Sequence, residues 1–298
     1  ERLFLSRWVS IDKEFELRRD FRNAWEVESD HYLVKTNVSL EKGVELTKSL
    51  EGFHDWFQRS FPEFFNTPEQ LQALFKTESR RRGGLRKPLV IHFYRSKDEY
   101  VARLGQENPQ IAITNGIYMP DERIAHFYDN TEHNIEATLY HEATHQLLYE
   151  VDPRPRPVGQ HEHFWIVEGF ACYIESLQKT PEGFQVGDPK YSRFYWAKER
   201  LSNEGFFMPF AQIVAMGKDN YQSPERIHER YSQAAGMVHF LMHYQDGVYR
   251  DAMIDHLSLL YRTAGPGRRV AGIDYFSGIR YEVMDQQYRD YITSLVTE

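Results

Sequence analysis

The chain has a single cysteine, Cys172, in 298 residues, so no disulfide can form within it and a disulfide-stapled scaffold is excluded. Nor does any apolar run approach the ~20 residues that a membrane-spanning helix needs, which leaves no expected membrane span. Basic residues are in deficit: 36 Lys+Arg against 44 Asp+Glu give a net charge of −8 and a pI near 5.9, a balance that argues against a general nucleic-acid binder. Internal repeats and low-complexity tracts are missing too. The basic cluster Arg80-Arg81-Arg82, continued by Arg86 and Lys87, reads as a solvated loop. Lack of disulfides suits a reducing compartment but also many exported bacterial proteins. A chain that begins at Glu1 reads as processed or trimmed, so both a removed export signal and a cytoplasmic location fit.

What is present is globular. Hydrophobic residues make up 41% and aromatics 15%, and this length fits one two-lobed catalytic unit or two small domains, of which one functional unit is the simpler reading. The most informative stretch is His141-Glu142-Ala143-Thr144-His145. On a helix, residues four apart lie on one face, so both imidazoles can reach one metal ion while Glu142 faces its open side. Such a pentapeptide also arises by chance in a chain with 13 His and 44 Asp+Glu, so its flanks carry the argument. Asp129, Asn130 and Thr131 offer capping side chains, Glu132 and Glu136 suit the first turns, and Ile135, Leu139, Ala143 and Leu147 make an apolar stripe. A buried helix over about Thr131 to Glu150 is expected. Read without a metal, the same histidines would simply be hydrogen-bonded.

A third ligand separates the zinc classes. The long histidine motif needs Gly and His three and six residues after the second ligand, where this chain has Leu148 and Val151. A glutamate from a second helix is the other arrangement. The segment Phe164 to Glu175 is dense in Trp165, Ile166, Ala171, Tyr173 and Ile174 yet carries Glu168 and Glu175. A buried carboxylate needs a partner, and Glu168 is best explained as a zinc ligand, with Gly169 letting a neighbouring helix approach. His161 and His163 compete for that role from a connection that holds Pro153, Pro155 and Pro157 and reads as a surface loop.

Along the rest of the chain, residues 1–30 are charge-rich and read as an N-terminal extension. Residues 31–130 read as a sheet-containing lobe. It has strands at His31–Val38 and Leu89–Tyr94, a helix capped by Ser39 with Leu46, Leu50, Phe53, Phe57 and Phe61 on one face, and a short helix opened by Ser96. Two further strands, Gly116–Met119 and Ile124–Phe127, are joined by a Pro-Asp turn. Residues 131–298 read as almost wholly helical, with Ser223-Pro224-Glu225 as a helix start and Ala264-Gly265-Pro266-Gly267 as a break. Cys172 reads as a small core residue.

The pair His-Glu-x-x-His and Trp-x-x-Glu-Gly-x-x-x-Tyr-x-Glu resembles the gluzincin metallopeptidases. The likeness is to the branch with aminopeptidase N, thermolysin-like catalytic domains and uncharacterised bacterial peptidase-MA-like families. It extends in layout from about Ser29 to the C-terminus, although its specific motifs fill only a few dozen residues. It implies an α+β, zincin-like fold: an N-terminal mixed sheet lobe with a packed helix, then a mostly helical lobe, with the active site between them. One zinc ion would be held by His141, His145 and Glu168, with Glu142 as general base. Glu175 matches the family's second acidic residue; it would orient a ligand histidine from behind or form a plain salt bridge. The family also has a tyrosine on a later helix aimed at the oxyanion, and Tyr231 stands at about the right separation, with His228 one turn earlier able to share the task. With 19 Tyr in the chain, a core or surface role for Tyr231 is the competing reading.

One departure bears on specificity. Aminopeptidases of this group bind the substrate amine with a glutamate in Gly-x-Met-Glu-Asn, and the matching stretch here, Asn115 to Pro120, has no acid. The resemblance therefore implies a zinc-dependent hydrolase of peptide or protein substrates, endopeptidase rather than aminopeptidase. Its rivals are a non-catalytic peptide-binding module on the same fold and a structural zinc protein. Glu142 between the two ligands speaks against the first and the three-ligand set against the second.

Overall fold

The computed structural model describes residues 1–4, 6–66, 69, 70, 72, 87–106, 109–130, 135–150, 157–263 and 269–297. Arg80 to Arg86, Thr131 and Glu132, Pro153 and Pro155, and the break at 264–267 lie outside the described residues. The chain divides into two units, Glu1–Ser60 with Lys76–Gln146, and Phe61–Phe75 with Leu147–Glu298.

In the first unit, strands β1 (Arg2–Phe4) and β2 (Arg7–Val9) form a hairpin followed by helix α1 (Ile11–Arg18). Strand β3 (Trp25–Glu28) then pairs antiparallel with β4 (Tyr32–Thr36), although the charge-rich sequence before His31 gives no strand signal. Along β4, Tyr32, Val34 and Thr36 are buried while Leu33 and Lys35 are only half-buried, the two-residue alternation of a strand with one covered face. Helix α2 (Leu40–Ser60) covers β3 and β4. It starts where Ser39 Oγ accepts the Lys42 N–H at 3.0 Å, and it buries Leu46, Leu50, Phe53 and Phe57 as their spacing requires. Strand β5 (Leu89–Tyr94) and helix α3 (Lys97–Leu104), capped by Ser96, follow the expected bounds.

Strands β6 (Gly116–Met119) and β7 (Ile124–Tyr128) complete a five-stranded mixed sheet of order β3-β4-β5-β7-β6, in which β4, β5 and β7 run parallel and both outer pairs are antiparallel. The β6–β7 turn closes on Arg123, held at φ 61° with its N–H donated to Met119 O at 2.8 Å. Strand β6 is thus an edge of the sheet. Helix α4 (Ile135–Glu150) belongs to this unit as far as Gln146. Tyr140 stacks on Phe53 at 5.0 Å, and Gln146 Nε2 donates to Val90 O at 3.1 Å, which ties the helix to α2 and β5.

The second unit is mainly helical. Helix α5 (Phe164–Ile174) is buried at every residue, the hairpin β8 (Gln178–Thr180) and β9 (Gly183–Gln185) follows, and then come α6 (Ser192–Ser202), α7 (Phe210–Val214) and α8 (Lys218–Tyr221). Helices α9 (Ile227–His243), α10 (Arg250–Thr263), α11 (Ile273–Ser277) and α12 (Tyr281–Ser294) complete the unit. The core forms where α9 lies against α5 and α6. A Cβ on Gly169 would meet Ala234 O at 2.8 Å, and one on Gly236 would meet the Ala197 Cβ at 2.8 Å, so both contacts need the missing side chain.

Two sequence expectations need correction. Ser223-Pro224-Glu225 does not open a helix: the chain turns there, Arg226 takes φ 55°, and α9 begins at Ile227. In its described part, residues 157–163, the connection before α5 is not simply a surface loop either. Val158 and His163 are buried, and Gly159 O accepts the Lys218 N–H at 3.0 Å. The overall class is α+β. Among the described residues, no helix is long and apolar enough to cross a membrane.

Candidate metal centre

His141 and His145 stand one turn apart on α4, with Leu139, Ala143 and Leu147 buried beside them. Their Nε2 atoms are 3.2 Å apart, and the rings meet edge to face at 75° with centroids 4.8 Å apart. Two nitrogens bound tetrahedrally to zinc at ~2.0–2.1 Å lie ~3.3 Å from each other, so the pair has the spacing of two zinc ligands. Glu142, between them in sequence, is buried, and its carboxylate accepts the N–H of Tyr118 at 2.8 Å. This bond joins α4 to the backbone of edge strand β6 and fixes the carboxylate by a main-chain donor.

Three groupings among the described residues have ligand atoms within 4.8 Å of one another: His141, His145 and Glu168; His141, Cys172 and Glu175; and His31, Glu51 and His54. Their chemistry differs. The first offers two imidazoles and a carboxylate, donor types that zinc accepts, and its carboxylate sits in a helix buried from end to end with only 8% of Glu168 exposed. In the second, Glu175 is already bound by Arg193 through Nε at 2.8 Å and Nη2 at 2.9 Å, and by the Tyr191 hydroxyl at 3.2 Å. That carboxylate is neutralised by a two-toothed ion pair. In the third, the His31 and His54 rings stack at 3.8 Å and 25°. Imidazole lone pairs lie in the ring plane, so stacked rings cannot both aim at one ion. Glu51 there accepts from Ser29 Oγ at 2.6 Å and from the His31 backbone N–H at 2.8 Å, and bonds the His31 Nδ1 at 2.7 Å, so it serves a hydrogen-bonded cluster. The residues of the first grouping fit zinc.

The rival ligands lie elsewhere. His161 is exposed, and His163 is buried with its Nε2 3.1 Å from Val270 O and its ring edge-on to His256. Neither joins a metal-type grouping among the described residues. His163 is the N-cap of helix α5, in the left-handed region at φ 63°, and the N–H groups of His163 and Phe164 donate to Val214 O and Met216 O.

Tyr231 sits in the second turn of α9, with its ring 5.3 Å from that of Tyr221 and its hydroxyl accepting from Gln222 Nε2 at 3.0 Å. Burial, and next the negative charge of Glu168, push its pKa well above the usual tyrosine value. It is a neutral hydroxyl with a proton to give. His228 lies exposed in the first turn of α9. Three partners found here were not legible beforehand: the Tyr118 N–H, Arg193 and Gln222. A buried Glu175 signals the need for a cation, but 36 Lys+Arg and no spacing rule leave its identity open, and nothing in the sequence marks Gln222.

Residues 135–260 match the model of DUF1570, a family of proteins of unknown function. No curated protein matches the chain. The matched segment runs from the start of α4 into α10 and holds His141, Glu142, His145, Glu168, Glu175 and Tyr231.

Proposed function

We propose that the chain is a zinc-dependent hydrolase of peptide bonds, of gluzincin type on a zincin-like fold, and an endopeptidase rather than an aminopeptidase. The observation that carries this reading is the 3.2 Å separation of the His141 and His145 Nε2 atoms, with Glu142 the residue between them in the turn. His141, His145 and Glu168 would hold the ion. When bound, zinc would polarise the scissile carbonyl and lower the pKa of a water toward neutrality. Glu142 takes a proton from the attacking water and returns it to the leaving amine. Its bond to the Tyr118 N–H keeps the carboxylate from swinging into solvent. Tyr231, protonated at neutral pH, donates to the oxyanion that develops on the carbonyl. Edge strand β6 has no acid between Asn115 and Pro120 to fix a free amine, so substrates enter as extended backbone by strand addition.

Metal analysis combined with N-terminally blocked, internally quenched peptides tests this. Wild type should carry one zinc and cleave blocked peptides internally, while Glu142→Gln should keep the zinc and lose hydrolysis, because an amide cannot accept the proton. Near-normal turnover by Glu142→Gln, or release of single N-terminal residues only, would sink the corresponding half of the reading.

A further inference from the structure

A phenolic O–H can donate to a substrate only if something keeps its proton on the substrate side. The C–O bond rotates easily, so the direction is set by whatever else the oxygen bonds. In Tyr231 that partner is Gln222, whose amide Nε2 donates to the phenolic oxygen at 3.0 Å. Two protons cannot lie along one O···N line, so the Tyr231 proton is turned away from Gln222. Among the described residues it meets no acceptor of its own.

Gln222 is itself fixed from both sides. It follows α8 in a tight reversal before α9, where the last carbonyls of a short helix need donors. Arg230, 5% exposed, supplies them: its Nε donates to Tyr221 O at 2.7 Å, and its Nη2 donates to Ser223 O and to Ser223 Oγ, the latter at 3.1 Å. The residues immediately before and after Gln222 are therefore held by one guanidinium. Tyr221, fully buried, returns the contact by donating its hydroxyl to Arg230 O at 3.1 Å. Helix α9 thus carries both the tyrosine and the arginine that immobilises the tyrosine's partner. The same clamp explains why Ser223-Pro224-Glu225 forms a turn in place of a helical start.

We propose that Gln222, clamped by Arg230, is a positioning residue that aims the Tyr231 proton at the substrate carbonyl; this rests on the hydrolase reading above. Gln222→Glu keeps the shape and reverses the polarity, because a carboxylate accepts the Tyr231 proton and withdraws it from the substrate. Its kcat on blocked peptides should fall as far as that of Tyr231→Phe, about 10- to 1000-fold for one oxyanion donor, with KM little changed and zinc retained. The Gln222→Glu/Tyr231→Phe double variant should be no slower than Tyr231→Phe, since both remove one interaction. Gln222→Met, uncharged and of similar length, serves if the glutamate variant does not fold, and should lie between wild type and Tyr231→Phe. A readout without turnover is the affinity of the cobalt-substituted protein for acetohydroxamate, followed by its visible absorption; the single and double variants should weaken it equally. Additive losses in the double variant, or a Gln222→Glu enzyme as fast as wild type beside a slow Tyr231→Phe, would overturn the proposal and leave the hydrolase reading intact. Full activity in Tyr231→Phe would remove both residues from the reaction, with Glu142→Gln still reporting on hydrolysis. Absence of bound metal in wild type would overturn the hydrolase reading and this proposal together.

Discussion

Two glutamates seven residues apart, Glu168 within α5 and Glu175 at its end, show how environment divides one side-chain type into two roles. Both are at least nine-tenths buried. Glu175 has a guanidinium and a phenol around it, which satisfy its charge and leave little capacity for a metal. Glu168 groups with two imidazoles, and its charge is felt by Tyr231. The two should therefore fail differently. On the proposed zinc reading, Glu168→Ala should abolish zinc binding, because two histidines alone would hold an ion poorly. Glu175→Gln should keep stoichiometric zinc but lower thermal stability, by roughly 1–3 kcal/mol, since it leaves the Arg193 charge without its partner at a site that is still partly wetted. Metal content and a melting curve on both variants check this. Zinc retained in Glu168→Ala and lost in Glu175→Gln would exchange the roles.

At the level of elements, the contact of α5 with α9 sets the distance between Glu168 and Tyr231, and it turns on Gly169. A methyl there would strike Ala234 O at 2.8 Å and the Val238 side chain at 3.1 Å, and the backbone oxygen cannot rotate away. Gly169→Ala should push α9 outward, destabilise by about 1–3 kcal/mol as overpacking does, and, on the proposed hydrolase reading, lower kcat more than zinc affinity because Tyr231 moves with α9. Unchanged stability would mean that the helices are free to separate. This contact was readable from the sequence because a glycine beside a buried acid has few other uses. The strands β4 to β6 and the face of α2 were legible for a similar reason: each has a period, of two or of about 3.6 residues, that burial on one face imposes. The nearness of His141 and His145 was legible because residues four apart share one face of a helix, and their Nε2 atoms lie 3.2 Å apart. Strand β3, Trp-Glu-Val-Glu at a sheet edge, does alternate apolar and acidic residues, but four residues are too few to stand out within a charge-rich stretch. The start of α9 was misread since Ser-Pro-Glu suits a turn equally well, and the deciding partner, Arg230, lies seven residues on from Ser223. Gln222 and Arg193 act across 9 and 18 residues of sequence, where no local rule applies.

At the scale of the whole molecule, both units carry buried or half-buried histidines that stay neutral. In the first, burial lowers the pKa of His54 and His92 to about 4 and of His126 to about 3; in the second it lowers His239 to about 4 and His256 to about 3. Unfolding returns each to near 6.5, so between that value and its folded pKa the unfolded chain binds the extra proton. Stability is then complete above the unfolded value and is lost as pH falls toward the folded one, at about 1.4 kcal/mol per pH unit for each group. At about pH 5 each histidine has cost ~2 kcal/mol, and several together rival the ~5–15 kcal/mol that holds an ordinary domain folded. Acid unfolding should therefore begin near pH 6, above the range of the carboxylates. His256 isolates the effect. It is fully buried, stacks on Phe276 at 5.4 Å, and among the described residues neither ring nitrogen has a hydrogen-bond partner. His256→Phe keeps the ring and removes both the unmet polar atoms and the titration. It should stabilise the protein by roughly 1–2 kcal/mol at neutral pH and by ~2 kcal/mol more at about pH 5, read from urea denaturation at the two values. A gain that is the same at both would show that His256 accepts its proton as readily folded as unfolded.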